Sequence, residues 1–146
     1  MDAMTEAGVL GEDAGAALLE HFGLSGFRTG QAEVIASVLA GRNTVVVMPT
    51  GAGKSLCYQL PAMLLPGITV VVSPLIALMK DQVDALQANG IAAAFINSTL
   101  SPREMQRVQD QTRRGRIKIL YAAPERLVLP EFQVFLEEIA VSLIAI

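Results

Sequence analysis

Residues 49–55, Pro-Thr-Gly-Ala-Gly-Lys-Ser, have the composition of a loop that grips phosphate. Gly51 and Gly53 permit backbone conformations closed to other residues, so successive N–H groups can converge on one anion. An apolar run at 44–48 precedes the loop and a helical pattern follows it, which is the strand, turn and helix setting such a loop requires. The positive end of the helix that starts near Lys54 strengthens the field at the same point. Lys54 is expected to act catalytically as a mobile charge on the β- and γ-phosphates, and Ser55 to offer its hydroxyl to Mg²⁺. Thr50 and Ala52 complete the cradle. The general pattern has a glycine where this chain has Met48. An ordinary glycine-rich connection without a ligand is the alternative, and Gly-Lys-Ser between a strand and a helix weighs against it.

Short runs rich in Val, Ile and Ala at 45–48, 68–73, 92–96, 117–122 and 141–146 predict strands buried on both faces, as in a parallel sheet. Between them the spacing of Leu75, Leu78, Met79, Val83 and Leu86 predicts a helix over 75–89 that Gly90 ends. Ser101, Pro102 and Glu104 form the signature of a capped helix start. Upstream, helices are expected at 14–22 and 31–40, separated by a turn-prone stretch at 23–30. The alternation gives a doubly wound α/β domain with helices on both faces of the sheet, and ligands at the carboxyl ends of its strands. Residues 1–23 are read as a helical extension and 24–146 as the core, and the apolar close at 143–146 as a domain truncated at its last strand.

At 146 residues, with 52% hydrophobic and 17% charged residues, the chain is the size of one domain with a substantial core. Its net charge of −3 provides no global basic field, so contact with nucleic acid must come from a local patch. The single cysteine, Cys57, reads as packing in a reducing cytoplasm. No signal peptide or membrane span is expected from the sequence. His21 has no partner at metal-ligand spacing. Arg113, Arg114, Arg116 and Lys118 form a basic cluster that suits either DNA phosphates or the negative end of a helix.

Three further segments could serve a nucleotide-driven machine. Within Gly26-Phe27-Arg28-Thr29-Gly30-Gln31, the Gln31 amide can present a donor and an acceptor to adenine, and Arg28 can stack on the base; the same residues also suit a helix-capping turn. Ser73, Pro74 and Leu75 follow a strand and open a helix, so they can hold a nucleic-acid phosphate or simply cap an amphipathic helix. Pro124, Glu125, Arg126 and Leu127 put another turn on the same sheet edge. In this order the segments resemble the RecQ family of superfamily 2 DNA helicases, from about residue 18 to 146. Phe27, Arg28 and Gln31 match the signature ahead of the loop, residues 50–55 the phosphate loop, 73–82 the next element and 124–127 the Pro-Glu-Arg-Leu element. Superfamily 2 loops commonly lack the first glycine, which accommodates Met48.

The resemblance implies a RecA-like P-loop domain of an ATP-driven motor moving 3′ to 5′ on single-stranded or forked DNA, in recombination and repair. ATP and Mg²⁺ are the implied cofactors. Arg28 and Gln31 would hold adenine, and the turn from Ser73 to Leu75 the DNA backbone. A second RecA-like domain is the implied partner. The family's Asp-Glu-Ala-His box would follow a strand like 141–146, and no such run occurs within these 146 residues. Hydrolysis needs those carboxylates, so the polypeptide alone is expected to bind ATP without turning it over. Rival readings are an RNA helicase or other superfamily 2 translocase, a non-catalytic nucleotide- or DNA-binding module, and a small-molecule kinase.

Overall fold

The computed structural model describes residues 12–49, 51 and 53–146, in two compact units that divide at Leu65 and Pro66. The first unit is helical: α1 (Glu12–Phe22), α2 (Gln31–Leu39) and α3 (Leu56–Leu64). Leu18, Ile35 and Leu60 are fully or almost fully buried together with Ala17 and Leu56, and Phe22, Phe27, Leu39 and Leu64 pack around them. Each buried Leu or Ile contributes about 1.5–3 kcal/mol, so this cluster is what brings three short helices together. Gly30, with φ of 87°, turns the chain into α2.

The expected strand at 45–48 is not formed. Residues 42–49 are irregular, and Val45 and Val47 are 95% and 94% exposed. A strand exists only through ladder hydrogen bonds to a neighbour, and no strand among the described residues pairs with this segment. Apolar, β-branched composition marks a capacity for pairing and does not by itself supply the partner.

The second unit is built on a four-stranded parallel sheet: β1 (Ile68–Val72), β2 (Ala93–Ile96), β3 (Ile119–Ala122) and β4 (Val141–Ala145), in the order β2-β3-β1-β4. Between the strands run α4 (Ile76–Ala88), α5 (Pro102–Arg113), a short 3₁₀ segment (Pro124–Val128) and α6 (Pro130–Glu137). The connection from β1 to β2 crosses the sheet in one direction, whereas those from β2 to β3 and from β3 to β4 cross in the other. Right-handed crossovers therefore place α4 on one face and α5 and α6 on the other. The core agrees: Ile68, Val70, Val72, Leu120 and Ala122 pack with Phe132 and Phe135 of α6 and with Met105 and Val108 of α5. The buried Met79, Val83 and Leu86 of α4 are absent from that cluster.

Local signals act as read from the sequence. The Ser101 hydroxyl accepts from the Glu104 N–H at 3.2 Å and the Glu104 carboxylate accepts from the Ser101 N–H at 2.8 Å, which closes a capping box on α5. Gly67 is dictated by space: its N–H donates to Ser142 Oγ at 2.8 Å, and a Cβ there would lie 2.3 Å from both that oxygen and the Ala140 carbonyl. Among the described residues no helix is long and apolar enough to cross a membrane.

Candidate functional site

In the first unit, α2 and α3 together shape the phosphate loop. Gln31, the first residue of α2, is buried, and its amide is engaged at both ends. Its Oε1 accepts from the Arg28 N–H at 2.8 Å, and its Nε2 donates to the Gly53 carbonyl at 3.0 Å. Arg28 reaches further along the loop, where Nη1 donates to the Gly51 carbonyl at 2.6 Å. Arg28 from the turn before α2 and Gln31 at its first position thus tie down the carbonyls of both loop glycines. Those two carbonyls are thereby satisfied within the protein.

Both glycines need their freedom. Gly51 and Gly53 have φ of 84° and 79°, in the left-handed region that L side chains rarely adopt. At Gly53 a Cβ would also stand 2.3 Å from Gln31 Nε2, so the close approach of the amide requires the missing side chain.

Beyond the loop, Ser55 occupies the N-cap of α3, and among the described residues its hydroxyl is not spent on a capping bond. Lys54 is exposed and has no ion-pair partner among the described residues. Cationic charge, an uncommitted hydroxyl and the positive end of a helix therefore coincide, and that combination attracts a polyphosphate. Of the loop residues read from sequence, Thr50 and Ala52 lie outside the described residues. Cys57 is buried in the first turns of α3, and burial raises its thiol pKa. Mg²⁺ fits the donor set in one way. Among the described residues no group of three His, Cys, Asp or Glu could hold a metal, so the ion would rely on Ser55, phosphate oxygens and water, its usual preference.

In the second unit the parallel strands bring three turns to one edge. Ser73, Pro74 and Leu75 follow β1, residues 97–99 follow β2, and Ala123 and Pro124 follow β3. The turns are tied to the sheet through the backbone: Ser73 N donates to the Ala122 carbonyl at 3.1 Å and Ala123 N to that of Ile96 at 3.3 Å. Ser73 Oγ accepts from the Leu75 N–H at 3.2 Å, and Leu75 is 56% exposed at the start of α4.

Sequence reasoning passed over Asn97. It is 1% exposed, its Oδ1 accepts from the Thr99 N–H at 2.9 Å and from the Thr99 hydroxyl, and its Nδ2 meets Met79 Sδ. Asn immediately after an apolar run and two residues before Thr was the available signal for such a turn. The basic cluster of the sequence divides. Arg113 pairs with Asp110 and Glu138 and lies 5.3 Å above the Phe135 ring, and Lys118 donates to the Gly67 carbonyl at 2.8 Å. Desolvation lowers the Lys118 pKa. Arg114 and Arg116 instead face an open groove.

Comparison with known proteins gives a consistent set of relatives. A model of the DEAD/DEAH box helicase family matches residues 28–143. The chain is 50% identical over 125 residues to a protein of Haemophilus influenzae named ATP-dependent DNA helicase RecQ, covering 86% of this chain and 20% of that one. It is 51% identical over 130 residues to the Bacillus subtilis protein of the same name, covering 88% of this chain and 22% of the relative. Arabidopsis thaliana ATP-dependent DNA helicase Q-like 5 is 45% identical over 126 residues, which cover 86% of this chain and 14% of that one. The chain thus spans about a fifth of the length of the bacterial relatives.

Proposed function

The chain belongs to the DEAD/DEAH box helicase family, and from that premise we propose that it binds ATP as part of the first motor domain of a RecQ-type 3′–5′ DNA helicase. The observation that carries this reading is the loop in which Arg28 and Gln31 hold the carbonyls of Gly51 and Gly53 beside an exposed Lys54. Lys54 neutralises charge on the β- and γ-phosphates, and Thr50, Gly51, Ala52 and Gly53 wrap them with backbone N–H groups. Ser55 is the protein's ligand to Mg²⁺, which when bound neutralises charge on the phosphate oxygens. Arg28 and Gln31 receive adenine, the Gln31 amide keeping one donor and one lone pair beyond the bonds that hold the loop in shape.

The turn from Ser73 to Leu75 holds a DNA phosphate at the start of α4. ATP-dependent unwinding belongs to the whole helicase, in the bacterial cytoplasm, with a second RecA-like domain as partner. Hydrolysis by the whole helicase needs carboxylates beside the phosphates, and Glu125 and Asp81 sit on other elements.

A fluorescent ATP analogue titrated into the purified chain tests the reading. Lys54→Ala should weaken binding by about tenfold to a hundredfold, the loss of a charge-assisted contact of roughly 1.5–3 kcal/mol. Unchanged affinity in that variant contradicts it.

A further inference from the structure

Residues 103–118 carry six of the chain's eleven Lys and Arg and only two of its fourteen Asp and Glu. The segment is thus net positive in a chain of charge −3, and the structure divides its charges into two groups. Arg113 and Lys118 are committed, as described above. Arg103, Arg107, Arg114 and Arg116 have no ion-pair partner among the described residues, and all four line one open cavity of about 360 Å³ along α5.

The helix and its exit build this groove. Arg103, Arg107 and Arg114 recur at helical spacing on one face of α5, and Gly115, with φ of 72°, reverses the chain so that the Arg116 N–H bonds back to the Gln111 carbonyl at 3.0 Å. Gln106 and Gln111 add amide donors to the lining. Its one carboxylate, Asp110, is already engaged by Arg113 at 3.0 Å.

Helix stability alone does not explain the arrangement. Arg103 stands in the first turn of α5, where the dipole disfavours a cation, and Arg103 and Arg107 are like charges four residues apart. Both placements work against folding and make sense for a surface that meets an anion. The lining is Arg, Gln and Asp throughout, with no aromatic or aliphatic anchor of the kind that protein partners or stacked bases need. From Arg103 to the C-cap Arg114, α5 and its end span about 16 Å, the axial length of about five successive phosphates of one duplex strand.

We propose that this groove binds the phosphodiester backbone of duplex DNA, without regard to sequence, as a contact surface separate from the turn at Ser73 to Leu75. The choice of DNA among polyanions rests on the helicase reading above; the anion-binding character rests on the groove itself. Guanidinium forks match phosphate oxygens, and the contact positions the duplex.

Fluorescence polarisation of a labelled duplex of about 20 base pairs with the full chain, at about 50 mM salt and above, reads this directly. Replacing Arg103, Arg107, Arg114 and Arg116 together by Gln should weaken binding at least tenfold and flatten the slope of log affinity against log salt by about 3 to 4. Replacing the same four by Lys should keep most of that slope. All four positions are exposed, on α5 or just past its end, and tolerate both sets; circular dichroism confirms that each variant is folded. Wild-type affinity and slope in the Gln variant overturn the proposal, as does no duplex binding by the wild-type chain, or preference for a poly-glutamate peptide, which would assign the groove to an acidic protein. Failure of the helicase reading appears separately, as ATP binding indifferent to Lys54→Ala.

Discussion

The phosphate loop and the carboxyl edge of the sheet are both built from turns that lead into helices, yet they are held in opposite ways. At the sheet edge the turns after β1 and β3 hang from backbone ladders whose strands are buried throughout, so their shape is a by-product of the core. In the loop, two glycines at positive φ are held by two side-chain hydrogen bonds, one from Arg28 and one from Gln31, more than twenty residues upstream. The first arrangement makes site geometry and stability inseparable. The second lets the shape of a ligand site change with little cost to the fold, because few buried contacts depend on it.

Substitutions can break or sharpen that contrast. The largest effect on folding is expected for Leu120→Ala: Leu120 is fully buried between β1 and β2, and the change should cost about 2–5 kcal/mol in denaturant unfolding of the second unit. Gly53→Ala should do the reverse, reducing affinity for an ATP analogue about tenfold or more while costing stability about 1–2 kcal/mol, since it displaces Gln31 and strains a left-handed backbone. Equal destabilisation by the two would erase the distinction drawn here. Smaller again, Ser101→Ala should remove about 1 kcal/mol of stability by opening the capping box, with nucleotide affinity unchanged.

The weakest effect is one of pH. The hydrogen bond that Lys80 donates to Asp84, and then the charge of that carboxylate, raises the Lys80 pKa above the ordinary 10.5, so this exposed pair supports the fold below that value and the support is lost as pH rises through the folded pKa. Asp84→Asn should therefore flatten a slight loss of stability as pH rises above about 10.5, measured as the denaturant midpoint.

Much of the second unit was legible because its signals are local or periodic. Ile68–Val72 and Ile119–Ala122 are continuous apolar runs, and the Ser101, Pro102 and Glu104 signature closed into the box it announced. The segment at 45–48 was not legible, since its composition is that of a strand and only a neighbour could make it one. In the site, Gly51, Gly53, Lys54 and Ser55 were visible from spacing. Opaque were the tie from Gln31 to Gly53 and the burial of Asn97, because both depend on which distant backbone group a short polar side chain finds. The basic cluster was legible as charge but not as structure: sequence proximity grouped Arg113 with Arg114, whereas folding paired one with Glu138 and turned the other toward a groove with Arg103.

Cys57 provides a clock for that first unit. It is the chain's only cysteine, and the burial that keeps its thiol protonated also leaves little thiolate to meet an alkylating reagent. Modification must then wait for α3 to open, so the labelling rate counts openings of the helix that carries the phosphate loop at its head. A bound nucleotide would lengthen the interval between them, and one mass spectrum per time point would register the delay.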